Sequence, residues 1–111
     1  MKANIGISEK NSKEVGSVLN KILADEYLLY TKTRNYHWNI EGSNLVEQEY
    51  TSDQKSQLKN LLDDHEAIIR FLRLHIDIFA DKYKDAGNAD FITGLMQKHE
   101  KMAWFLRSHL K

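Results

Sequence analysis

The sequence contains no cysteine. That excludes disulfides, thiol nucleophiles and thiolate metal centres, so any metal must be held by His, Asp, Glu or water. Proline is also absent, and glycine is limited to 5 of 111 residues. A chain without the residue that removes a backbone donor and clashes with the preceding turn is suited to long, unbroken helices. Net charge is missing as well: Lys plus Arg is 16 and Asp plus Glu is 16. No overall field draws the chain to nucleic acid or an anionic membrane, and charge does not oppose self-association. No stretch approaches about 18 consecutive apolar residues, so no membrane contact is expected. The opening MKANIGISEKNSKE carries no apolar run, so the reading is a cytoplasmic protein without a signal peptide.

What is present is one domain's length of chain, residues 1–111, 41% apolar and 29% charged. That balance folds rather than staying disordered. Apolar residues recur with helical spacing at Val15, Val18, Leu19, Ile22, Leu23, Leu29, Tyr30, Thr33, His37 and Trp38. Asn11 and Glu14 have capping-box spacing and predict a helix over Asn11–Ile40, after a flexible tail of residues 1–10. A second stripe runs Leu58, Leu61, Leu62, His65, Ile68, Ile69, Leu72, Ile76, Phe79, Tyr83. With Thr51 and Gln54 as a capping box, it predicts a helix over Ser52–Lys84, stopping where Gly87 supplies a left-handed residue. A third stripe, from Phe91 through His99 to Leu110, predicts Asn88–Leu110 with Asn88 as cap and Arg107 and Lys111 suiting the end of the dipole.

The last two helices share a phrase. His65-Glu66 is followed by Phe71-Leu72-Arg73, and His99-Glu100 is followed at the same interval by Phe105-Leu106-Arg107. Two copies are too few for a solenoid, and two similar antiparallel helices explain the wording. The joint between the first two helices is unusual, because Leu45-Val46-Glu47-Gln48-Glu49-Tyr50 is not turn-like.

Three blocks carry a family resemblance. Leu23-Ala24-Asp25-Glu26-Tyr27 through Thr31-Lys32-Thr33-Arg34-Asn35-Tyr36-His37-Trp38-Asn39-Ile40-Glu41-Gly42 resembles the first helix of the Dps proteins, ferritin-like mini-cages that store iron and protect DNA in starved bacteria. Leu62-Asp63-Asp64-His65-Glu66-Ala67-Ile68-Ile69-Arg70 resembles their third helix. Ala89-Asp90-Phe91-Ile92-Thr93-Gly94-Leu95-Met96, with His99-Glu100-Lys101-Met102-Ala103-Trp104, resembles their fourth. The family's second helix and the crossover after it have no counterpart between Gly42 and Thr51. The implied fold is all-α: a ferritin-like bundle reduced to three long antiparallel helices and completed by self-association. Helices one and three can be joined this way because the deleted block is a there-and-back excursion.

The resemblance also implies roles. His37 matches a ligand of the family's di-iron ferroxidase centre, whose second His and carboxylates lie on the missing helix. It is therefore a vestigial ligand, and ferroxidase activity is expected to be impaired. Its plain alternative is a helix-end His packed beside Trp38. Trp38 itself sits near the vestigial site, where such aromatics quench oxidants. Asp90, with Asp81 and Asp85, matches acidic residues lining iron-admitting pores, or is ordinary helix-end charge. Asp63, Asp64, His65 and Glu66 are either a replacement metal site or a solvated acidic face with His65 at its boundary. Lys2, Lys10 and Lys13, in or near the tail, give weak attraction for DNA. Trp104, Tyr27, Tyr30 and Phe105 read as core packing. No catalytic residue is assigned. Iron is the implied cofactor, and a homo-oligomer the implied state. The alternative is a non-enzymatic helical oligomerisation module derived from such a subunit.

Overall fold

The computed structural model describes the backbone of residues 3–41 and 51–111, and the side chains of 3–36 and 51–111. These residues form α1 (Glu9–Glu41), α2 (Ser52–Asp77) and α3 (Ala86–His109), with a π-helical turn, Ile78–Lys82, continuing α2. No strand occurs among them, so the all-α, three-helix expectation holds. The Asn11 side chain bonds the Tyr83 carbonyl, Lys21 lies over the Phe71 ring and Lys32 pairs with Asp64. Partners thus descend α2 as they climb α1, so those two helices are antiparallel. Arg73 on Glu100 and Arg107 on Glu66 set α3 antiparallel to α2 in the same way. The longest dimension, 55 Å, is close to the length of α1 itself at about 1.5 Å per residue.

Local chemistry moves three of the expected boundaries. Helix α1 begins two residues early because Ser8 Oγ accepts the Asn11 N–H at 3.0 Å. Ser8, not Asn11, is the cap, which frees the Asn11 amide for Tyr83 at 3.2 Å. Lys10, expected in the tail, therefore lies on the helix beside Lys13, and Lys2 lies outside the described residues. The Thr51–Gln54 capping box is present with both of its bonds, 2.9 and 3.2 Å. At the other end of α2, the left-handed residue is Lys84 (φ +56°), not Gly87, which lies inside α3. The Asp85 N–H reaches back to the Phe79 carbonyl at 2.8 Å. The Asp85 carboxylate then caps α3, accepting from the Asn88 N–H at 3.0 Å and the Asn88 side chain at 2.7 Å. Asn88, expected as the cap, is instead what the cap binds. Asp85 can be buried because both its oxygens are bonded.

The main core gathers Val15 and Ile22 of α1, Leu72 of α2, Phe79 of the π turn, and Ala89, Ile92 and Met96 of α3. Toward the other end, Leu29, Leu58, Leu61, Leu62 and Ala103 are also buried. The α2 stripe is placed as its periodicity predicts. The α1 stripe is narrower: Val15, Ile22 and Leu29, seven apart, are buried, while Leu23, Tyr27, Leu28 and Tyr30 are exposed. Trp104 and Phe105 are exposed too. These four aromatics, expected in the core, are outside because three helices give each rod fewer covered flanks than four.

A lysine in the left-handed region costs about 1–2 kcal/mol relative to glycine, partly offset by glycine's larger unfolded-state entropy. Lys84→Gly is expected to raise the unfolding free energy by about 0.5–1 kcal/mol, read from the urea midpoint at unchanged slope. A lower midpoint would show that Lys84 is not strained.

Candidate functional site

The densest chemistry lies where the three helices meet, just beyond the main core. His65 of α2 and His99 of α3 are 5% and 1% exposed. Their Nδ1 atoms are 2.8 Å apart, which is a hydrogen bond, so one nitrogen donates and the other accepts. The opposite nitrogen of His99, Nε2, donates to the Glu26 carboxylate of α1. The result is a three-residue relay, Glu26–His99–His65, with one residue from each helix. The carboxylate fixes His99 with a proton on Nε2 and turns Nδ1 toward His65. Burial holds the His65 imidazole below its ordinary value of 6.5, and the charge of His99 adds to this, while Glu26 and Asp64 oppose it.

The expectation that His65 is a boundary residue on an acidic face is therefore corrected. Its neighbours do fan out: Asp63 pairs with Lys59, Asp64 with Lys32, and Glu66 with Arg107, while His65 alone points inward. Glu26 carries no signal of its own in the sequence, and His99 is one position in a helical stripe. The signal was the shared phrase. Its two copies are matched across the hairpin, His65 to His99, Glu66 to Arg107 and Arg73 to Glu100, as a local two-fold pairing requires.

Two surfaces beside α1 stand out. One is a groove of about 350 Å³ between α1 and α2, on the side away from α3, with Leu28, Leu29, Ile68 and Phe71 in its walls and Lys21, Asp25, Lys32 and Asp64 at its rim. The other is an open apolar flank. Going around α1 from its buried line through Glu26, which touches α3, the next positions are Tyr30, Leu23 and Tyr27, all exposed. Going around α3 from its buried line through His99, they are Leu95, Leu106, Met102 and Phe91, half-buried and then exposed. Both apolar flanks border the same side of the molecule.

The other expected site residues are not assembled into a centre by the described contacts. Position 37 is within α1, but the side chains of His37 and Trp38 lie outside the described residues. So does the 42–50 segment, including Glu47 and Glu49. Asp81 and Asp90 are exposed, and Asp85 is the buried cap. Among the described residues, no three His, Asp or Glu side chains converge on one point that could hold a metal.

Residues 44–111 match the family model for the ferritin-like domain. The chain belongs to the ferritin-like family. It is similar to an uncharacterized low temperature-induced protein of Nostoc sp. strain PCC 7120 and to that protein's homolog in Anabaena variabilis. Each is 33% identical, over 97% of this chain and 86% of the relative. It is also 23% identical to DNA protection during starvation protein 2 of Bacillus anthracis, over 89% of this chain and 98% of that one. This supports the Dps relationship. No solved structure matches. The Nostoc alignment spans 154 positions, although this ferritin-like chain has only 111 residues. More than forty positions of the relative therefore face a gap, enough for one long helix and a connection. No helix among the described residues is long and apolar enough to cross a membrane.

Because the folded chain takes up the His65 proton less readily than the unfolded chain does, protonation favours unfolding. The contribution is complete above about pH 6.5 and is lost as pH falls through the depressed folded value. The urea midpoint is expected to drop between about pH 7.5 and pH 5.5, and His65→Phe to flatten that dependence. Equal pH slopes for the two proteins would contradict the assignment.

Proposed function

We propose that this chain is an iron-handling protein of the Dps type that works as a self-associated assembly and oxidises ferrous iron poorly on its own. The observation that carries the reading is the uncovered face of α1. Leu23, Tyr27 and Tyr30 are exposed on it, and the same helical register, alternating four and three residues, continues through Arg34 to position 37. A row of that spacing is a helix-pairing seam. It lies on the flank that a neighbouring helix covers in a complete four-helix bundle. A second copy on this flank brings two positions 37 to the neighbourhood of one interface, where carboxylates of either chain can join them.

Iron is the substrate and cargo in this reading. A neutral imidazole at His37 suits ferrous iron. The ligands that the family carries on its second helix are missing, so binding is weak and transfer of an electron from ferrous iron to peroxide is slow. Asp90, exposed near the start of α3, lines an entry path only if the assembly is a closed cage. DNA protection is the named property of the Bacillus anthracis relative. Here a zero net charge and basic residues held on α1 give DNA little to grip. The low-temperature induction in the Nostoc relative's name is in keeping with a stress role.

The second reading, a non-enzymatic assembly module, rests on the same apolar face and needs no iron at all. The two part company in titration with ferrous iron under anaerobic conditions, followed by addition of peroxide. The first reading expects weak ferrous binding and slow oxidation above background, both lost in His37→Ala. Binding and oxidation indistinguishable from buffer in the unaltered protein would leave only the module.

A further inference from the structure

The Glu26–His99–His65 relay does more than fill space, because of where its three members sit. His65 and His99 belong to the α2–α3 hairpin, which is also clamped across its outer face by Arg73–Glu100 and Arg107–Glu66. Glu26 belongs to α1. The α1 members of the main core are Val15 and Ile22, and among the described residues none beyond Ile22 belongs to it. The distal half of α1 is instead tied down by Leu29, by Lys32 on Asp64 at 2.8 Å, and by Glu26 on His99. Glu26 is itself 29% exposed, so this tie borders solvent.

We propose that the relay is a proton-operated latch that holds the distal half of α1 against the α2–α3 hairpin and releases it when both imidazoles carry a proton. The hydrogen inventory dictates this. His99 Nε2 keeps its proton toward Glu26 throughout. Between the two Nδ1 atoms there is room for one hydrogen. When both rings are neutral, His65 supplies it and His99 accepts. When His99 alone is cationic, His99 supplies it, His65 accepts through its other tautomer, and Glu26 balances the charge. When both rings are cationic, two N–H groups oppose each other across 2.8 Å and one carboxylate faces two charges.

Among the described residues, the other nearby carboxylates are each paired with a cation, and Asp64, whose charge favours a protonated His65, is not bonded to it. On α2, Asp64 is engaged by Lys32 of α1, and Glu66 by Arg107 of α3. On α3, Glu100 is engaged by Arg73. The doubly charged pair must therefore reach water. Lifting α1 off His99 does this while the hairpin keeps its own clamps. Since α1 also carries the exposed seam and position 37, acid would loosen the part of the molecule on which the proposed assembly depends. The latch itself requires neither iron nor assembly.

The absence of cysteine allows a direct test. Spin labels at Ala24→Cys on α1 and Lys98→Cys on α3, both exposed positions, report the separation of the two helices. Excess unlabelled chain removes distances between copies. A single narrow distance is expected at about pH 7.5. Below about pH 6 a longer, broad population should grow, while far-UV circular dichroism keeps the helical signal. His65→Phe should keep the narrow distance at both pH values. Glu26→Gln retains an acceptor for His99 but removes the balancing charge, so it should move the opening to higher pH. It also serves if the Phe variant does not fold. The proposal is overturned if the distance is the same across this range. It is equally overturned if distance and helicity are lost together, or if Glu26→Gln opens at the wild-type pH.

Discussion

A rod as long as α1 needs cover along more of its girth than two neighbours supply, and the rest of the structure follows from how that shortage is met. Among the described residues its buried line is Val15, Ile22 and Leu29. One flank leans on α2 through Lys32–Asp64 and Lys21 over Phe71. The other touches α3 through the Glu26 carboxylate on His99. Beyond that contact, leucine and tyrosine face outward. An uncovered apolar row of this kind is uncommon on soluble monomers and marks an interaction surface.

The hairpin of α2 and α3 is the more closely tied part. It has a capping box at its start, a buried aspartate cap at its turn and matched ion pairs along its outer face. Surface pairs of this type contribute little each, but their symmetry fixes the register that brings His65 against His99. The polar relay is then buried at the junction with α1, where an apolar trio would pack without demanding a protonation state. A polar network in such a place can fix one arrangement of the helices while adding little to their stability.

Much of this was legible in the residues. The absence of proline and three helical stripes gave three rods. The Thr51–Gln54 spacing gave the start of α2, and the blocks around Glu26-Tyr27, His37-Trp38 and His65-Glu66 gave the family and the missing rod. The two helix starts that slipped did so for one reason. Several polar residues competed for each cap: Ser8 displaced Asn11, and Asp85 displaced Asn88. Periodicity says which positions are able to be buried, not how many neighbours will cover them, so Tyr27, Tyr30, Trp104 and Phe105 were placed inside. The relay was hidden because its members are spread over three helices. Only the repeated His-Glu phrase pointed to two of them.

The central claim is that the bare flank of α1 is the seat of a second copy of this chain. The most direct measurement is mass by light scattering at micromolar concentration, for the unaltered chain and for Tyr27→Glu/Tyr30→Glu, with helicity checked in parallel. The account predicts a dimer or larger species for the unaltered chain and a folded monomer for the double variant. A monomeric unaltered chain, or a double variant of undiminished mass, would contradict it.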